Sequence, residues 1–296
     1  MTEVLDGRSI PAARPDLEYK TVDIAQIGSI KQDVGFLEGL FNITGFRRAL
    51  VLIGLCVIWE VYARYLGNPL MFPSFSDTVT TLWGDIVSGR LPSAAITSLQ
   101  VLVTGYATAI ALAAVMTTLA ISTRFGTDLL ATLTAMFNPL PAIAVLPLAL
   151  LWFGLGTSSI VFVIVHSVLW AVSLNTFTGF LSVSQTQKMA GRNYGLGGLR
   201  MVFFILIPAA FPSILSGLKI GWAFAWRTLI AAELVFGVSG NAAGLGWYIF
   251  EARNALETSG VFAGLLTVIV IGLVVEGLVF RTIELLTVRK WGTQTG

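Results

Sequence analysis

The sequence predicts an all-α, polytopic membrane protein with six transmembrane helices, on the strength of composition, run length and periodicity. Mean hydropathy is +0.83, and charged residues make up only 11% of the 296, which is far too apolar for a water-soluble domain. Six apolar runs match the roughly 17–25 residues that a helix needs to cross a bilayer: Ala49–Leu66, Leu99–Ser122, Leu129–Trp152, Ile160–Leu181, Phe211–Val235 and Val261–Leu286. Strands survive in lipid only as closed barrels, and the apolar residues here do not alternate, so the runs are read as helices.

Residues 1–46 differ from the rest and read as a cytoplasmic tail. They lack the charged and apolar regions of a signal peptide. Met1–Tyr19 reads as disordered. Val22, Ile24, Ile27, Ile30, Val34, Leu37 and Phe41 fall close to helical spacing among charged residues, which suits an amphipathic helix on the membrane surface. The alternative is a partly ordered tail packed on a neighbour or on nothing. Residues 47–290 form the transmembrane domain, and 291–296 a short cytoplasmic tail. The single cysteine, Cys56, lies in the first run, so a disulfide framework or cysteine metal site is not expected. Glu60, near the outer end of that run, is placed to reach lipid headgroups. Between the first two runs, Pro69–Ser98 is too polar to cross; Met71-Phe72-Pro73-Ser74 and Leu91-Pro92 mark turns, and Asp77–Val87 reads as a short surface helix.

The third run carries Pro139, Pro141 and Pro147. Each removes a backbone donor and crowds the preceding turn, at about 3 kcal/mol in an ordinary helix. In lipid such a break is tolerated where protein or a water-filled cavity surrounds it. It either walls a pathway or a partner contact, or merely kinks the helix to shape packing. In the fourth run His166, Trp170 and Ser173 form a stripe, with Asn175 on the opposite side. His166 is the only histidine, so a histidine-cluster metal site is excluded; a hydrogen-bonded structural role competes with gating.

Between the fourth and fifth runs, Ser184-Gln185-Thr186-Gln187 has the spacing of a capping box. The helix it starts ends near Asn193 or Tyr194, with Gly195 placed as a left-handed cap. Gly197-Gly198 turns the chain, and a second short helix leads to Ile207-Pro208. The first helix carries Gln187, Lys188, Met189, Ala190, Gly191 and Arg192. By itself it reads either as a solvated basic loop or as a docking handle.

In the fifth run Lys219, Trp222, Trp226, Ile230 and Glu233 recur at three- and four-residue steps, so they share one stripe, with Arg227 beside it. Ionisable residues are expensive at that depth and commonly mark a path. Lys219 with two tryptophans would attract a small anion, and Glu233 would sit near the outer mouth. Alternatively Lys219 and Arg227 pair with acids elsewhere, such as Glu276, and hold helices together. Gly217 and Gly221 make a G-x-x-x-G that permits close helix approach.

Cations set the orientation. With both termini cytoplasmic, the inner segments hold Arg47, Arg48, Arg124, Lys188, Arg192, Arg200, Arg289 and Lys290. The outer ones hold Arg90 and Arg253, offset by Asp77, Asp85, Glu251 and Glu257. The net charge of +2 suggests no nucleic-acid partner.

Several stretches resemble the permease subunits of ABC importers in the nitrate, sulfonate, taurine and bicarbonate subfamily. That family carries E-A-A, three residues and glycine, then I-x-L-P about a dozen residues on. Here Met189-Ala190-Gly191, Gly195 and Ile205-Leu206-Ile207-Pro208 take those places. Also similar are Thr97-Ser98-Leu99, Asn138-Pro139-Leu140-Pro141, Leu146-Pro147-Leu148, Trp152-Phe153-Gly154-Leu155-Gly156, Asn175-Thr176, Ala231-Ala232-Glu233 and Gly244-Leu245-Gly246. The likeness runs from about Pro73 to the C-terminus. It departs at Met189, where the family has glutamate, and at Gly191, where it has alanine.

The resemblance implies a type I ABC importer architecture, with a cytoplasmic coupling helix between spans 4 and 5. It implies a second permease copy, two cytoplasmic ATPases that bind ATP and Mg, and a periplasmic or lipid-anchored binding protein, all in a bacterial inner membrane. ATPase coupling would fall to Gln187, Lys188, Met189, Ala190, Gly191, Arg192, Gly195 and Pro208. This chain has no G-x-x-x-x-G-K-[ST] phosphate loop, so no cofactor is expected in it. An ion-coupled secondary transporter is the alternative, with Glu233 and Glu276 as its coupling acids, but no internal repeat supports it. A membrane-embedded enzyme would need clustered ligands or a nucleophile and base, which scattered acids and one histidine do not supply.

Overall fold

The computed structural model describes residues 44–236 and 243–287. Contacts divide the chain into two units, Met1–Leu55 and Cys56–Gly296. The tail expected at 1–46 falls outside the described residues except for its last three; the C-terminal tail at 291–296 falls outside them entirely, as do Arg289 and Lys290. Every regular element among the described residues is helical, and five helices are long and apolar enough to cross a membrane, or six with a bent pair taken as one span.

Helix α1 (Thr44–Leu66) leaves Val57, Ile58, Val61 and Tyr65 exposed. Its C-terminal end is fixed by polar contacts. Trp59 Nε1 donates to the Pro73 carbonyl at 3.0 Å and packs against Phe75 and Phe262. Glu60 does not reach outward as expected. It accepts from the Ser76 amide and hydroxyl, both at 3.0 Å, because the first turn of α2 (Phe75–Val87) presents unpaired amides that favour an anion.

Helix α3 (Arg90–Ser122) begins nine residues before the expected start of the second span. Leu91-Pro92 makes no turn; Pro92 sits in the first helical turn, where its missing N–H loses no bond. Buried positions Leu91, Ala94, Ser98, Leu102, Gly105, Ala109, Ala113, Thr117 and Ala120 recur at three- and four-residue steps. Small residues dominate that stripe and let α6 (Thr157–Ser182) approach closely: a Cβ at Gly105 would lie 2.8 Å from Ile164 Cγ2.

The third span is not straight. Helix α4 (Arg124–Phe137) and the segment Ala142–Phe153 meet at 90°, broken by Asn138-Pro139-Leu140-Pro141. Pro147 takes no part in the break. It sits in the first turn of α5 (Leu146–Phe153), where proline is tolerated.

After the short helix α7 (Gln185–Asn193), the expected separate helix before Pro208 is instead continuous with the fifth span. Gly198–Met201 passes through a π turn, Val202–Leu206, into α8 (Ile207–Phe236). The wider turn accommodates Pro208, which can neither donate to nor pack tightly on the turn before it. At 38 residues this helix is about 57 Å long, nearly twice the hydrocarbon thickness. Gly217 and Gly221 bring α8 onto α6: a Cβ at Gly217 would meet Asn175 Cβ at 2.7 Å, and one at Gly221 would meet Val172 at 3.0 Å. Helix α9 (Leu245–Asn254) then precedes α10 (Thr258–Val274), a second π turn at Val275–Phe280 and α11 (Arg281–Leu286).

Opposite ends of the bundle differ in chemistry. At the α2–α9 end, Arg90 reaches Glu251 at 3.2 Å and Glu257 at 3.9 Å, and stacks over Tyr248. Tyr248 donates to Asp85; burial first, and that hydrogen bond next, push its phenol well above the ordinary range. At the other end α7 carries Lys188 and Arg192.

Candidate functional site

Helix α7 is built as its sequence suggests, with one difference. Ser184 caps it, accepting the Gln187 amide at 3.3 Å. The box closes between side chains, the Ser184 hydroxyl donating to Gln187 Oε1 at 3.2 Å, not through the Ser184 amide. At the other end Gly195 adopts φ +73°. Its amide reaches the Arg192 carbonyl at 2.9 Å and the Leu196 amide reaches Gly191 at 3.0 Å, a paired C-terminal cap that a left-handed residue makes possible.

Gly191 is buried. A Cβ there would lie 3.0 Å from Ile205 and from the Met201 sulfur, so Gly191 seats α7 closely on the segment before α8. Lys188 and Arg192, one turn apart, line a cleft on that same inward side. Met189, 54% exposed, faces away from it. Lys188 and Met189, neighbours in sequence, thus lie on different faces of α7.

At the break in the third span, Pro139, Pro141, His166, Trp170 and Arg227 line one cleft of about 320 Å³. Phe137 stacks on Trp170 at 5.4 Å and meets His166 edge-on. Both His166 ring nitrogens and Trp170 Nε1 are buried without a hydrogen-bond partner among the described residues, a condition native proteins rarely leave without a reason. The Arg227 side chain is exposed there. It donates from Nε to the Ala223 carbonyl at 3.0 Å and stacks on Phe224, with no ion pair among the described acids.

The fifth-span stripe divides. Lys219, Trp222, Trp226 and Arg227 line a second cleft, of about 240 Å³, with Glu276. Lys219 pairs with Glu284 at 2.6 Å, not with Glu276, and Trp226 Nε1 donates to the Val268 carbonyl. Arg227 borders both clefts.

Glu233 lines neither cleft, against the expectation of an outer mouth. It is fully buried. Its carboxylate accepts from the Ser98 hydroxyl at 2.8 and 2.9 Å and from the Gly246 amide at 2.8 Å, while Ser98 accepts from the Leu245 amide. A Cβ on Gly244 would lie 2.2 Å from this carboxylate, and one on Gly246 would lie 2.4 Å from Glu233 Cβ. The carboxylate thus caps the start of α9, where free amides gather. Sequence reasoning missed this junction, yet its parts stood in three of the stretches quoted for resemblance: Thr97-Ser98-Leu99, Ala231-Ala232-Glu233 and Gly244-Leu245-Gly246. It also missed Phe137 and Phe224 as cleft walls.

A helical membrane protein with a broken span beside a cation-bearing cleft has the construction of a transport subunit. The chain belongs to the family of binding-protein-dependent transport system inner membrane components, whose profile matches residues 109–281. It is 33% identical over 224 residues to a Methanocaldococcus jannaschii protein provisionally named an ABC transporter permease, covering 74% of this chain and 83% of that one. It is 33% identical over 141 residues to the taurine transport system permease protein TauC of Escherichia coli, 48% of this chain and 50% of TauC. Identity to the nitrate import permease protein NrtB of a Synechocystis species is 27% over 253 residues, 81% and 88% of the two chains. Membership makes the chain a membrane-spanning component of a transport complex that works with a binding protein.

Proposed function

We propose that this chain is the permease subunit of an ATP-driven importer, forming the path for a small anionic solute of the nitrate, sulfonate, taurine or bicarbonate type. Two copies would enclose the path in a bacterial inner membrane, both termini cytoplasmic. The observation that carries the reading is the cleft at the third-span break. Arg227 stands there without an acid partner among the described residues, and a cation in a low-dielectric setting attracts anions strongly. His166 and Trp170 wall the cleft from α6, and the bent backbone at Pro139–Pro141 is what a lined cavity permits.

Helix α7 would be the coupling element. Its outward face, with Thr186, Met189, Ala190 and Asn193, would seat in an ATPase, while Gly191, Gly195 and the π turn before Pro208 transmit its movement into α8. Lys188, Arg192 and Gln187 shape the helix from its inner side and its cap.

The test is reconstitution of the permease with its ATPase and binding protein in liposomes, following uptake of labelled sulfonate or nitrate. ATP inside the vesicle or at the ATPase face should be required. Rapid accumulation by this chain alone from a proton or sodium gradient would refute the reading.

A further inference from the structure

The cleft beneath α7 is given no occupant by the transport reading. It has a volume of about 510 Å³ and lies where α3 and α6 end, between their last turns and α7. Its floor is apolar: Ile121, Phe177, Phe180 and Leu181 among others. Its rim carries Lys188 and Arg192. No described carboxylate lies within ion-pair distance of either cation; the ion pairs among the described residues are all elsewhere. Leu199, Phe203 and Phe204 on the adjoining helical segment are 60–68% exposed, as befits a segment lying among acyl chains and not in water.

We propose that this cleft binds an anionic phospholipid from the leaflet that α7 borders, its phosphate between Lys188 and Arg192 and an acyl chain on the floor. A free phosphate would satisfy the cations but leave the aromatic floor uncovered. An acyl chain without an anionic head would leave two cations desolvated and unpaired, which is costly. Only an amphiphile with a negative head answers both halves of the cleft. The capped, closely seated geometry of α7 holds both cations in place: Gly191 presses on Met201 and Ile205, and the paired amides at Gly195 and Leu196 lock the last turn. Basic groups at such an interface favour anionic lipid by about fivefold each.

The measurement is native mass spectrometry of the full-length chain in detergent with dioleoylphosphatidylglycerol or dioleoylphosphatidylcholine. We expect the anionic phosphatidylglycerol to be retained in preference by roughly tenfold or more. The double substitution K188Q/R192Q should abolish that preference, while R200Q, which removes an exposed cation outside the cleft, should preserve it. Equal retention of the two lipids by the unaltered chain overturns the proposal, as does a preference that survives K188Q/R192Q. Displacement of the lipid by millimolar inorganic phosphate would mark a free-anion site and overturn it too. The lipid comparison on the unaltered chain decides the matter even if the double variant does not fold. Transport need not be measured, so failure here leaves the importer reading standing.

Discussion

Two polar regions within the same bundle are built on opposite plans. At the start of α9, Glu233 is wholly buried and every neighbour answers it: Ser98, the Gly246 amide, and two glycines whose missing side chains make room. At the third-span break, Arg227 is exposed, and the His166 and Trp170 nitrogens find no partner among the described residues. A satisfied buried carboxyl group ties three elements into one arrangement, since removing any member strands the others. An exposed cation beside an opening, as Arg227 is, is available to a passing ligand. Formal charge alone does not separate the two; the completeness of the hydrogen bonding does.

The sharpest way to break this contrast is at the closed junction. Gly246→Ala drives a methyl group to 2.4 Å from Glu233 Cβ and 2.8 Å from the Ile230 carbonyl, and backbone cannot yield as a flexible side chain can. We expect almost no monodisperse protein by fluorescence-detected size exclusion. Glu233→Ala leaves the Gly246 amide and Ser98 hydroxyl buried without their acceptor. That should lower stability by about 3 kcal/mol, with Glu233→Gln retaining part of it; thermal unfolding in detergent distinguishes them. A melting temperature unchanged by Glu233→Ala would remove the structural side of the comparison.

At the open cleft the signature is reversed. Arg227→Ala should leave unfolding within about 0.5 kcal/mol of the parent while cutting ATP-dependent uptake at least tenfold, with Arg227→Lys restoring part. Loss of stability matching the loss of uptake would make Arg227 a structural residue like Glu233. Helix α7 gives smaller effects. Gly195→Val forces a β-branched residue to φ +73°, at about 1–2 kcal/mol of local strain, and should lower transport per ATP hydrolysed; Gly195→Asn should be milder. Gly191→Ala, which supplies the family's usual residue, meets Met201 and Ile205 side chains at 3.0 Å. Because Met201 is flexible, it should cost under about 1 kcal/mol, read by thermal unfolding.

Much of this was legible because membrane helices are dictated by local composition. Runs of apolar residues marked the spans, and Ser184 with Gly195 marked both ends of α7 through turn chemistry that needs no distant partner. The prolines marked a break, but not which of them made it: Pro139 and Pro141 bend the span by 90°, whereas Pro147 is a harmless first-turn residue. The stripe on α8 was real as helical geometry and misleading as a single site. Helix α8 is contacted on several sides, and the same face turns Glu233 into protein, Lys219 onto Glu284 and the tryptophans into a second cleft.

From sequence alone came the all-helical membrane fold, the family likeness and the basic short helix, since each depends on residues near one another along the chain. Tertiary structure alone decided that Glu233 is enclosed while Arg227 is open, that Lys188 and Arg192 turn inward, and that Ser98 belongs with Gly246. Those outcomes rest on contacts between residues as many as 147 positions apart, and helical periodicity specifies which residues share a face without specifying what that face meets.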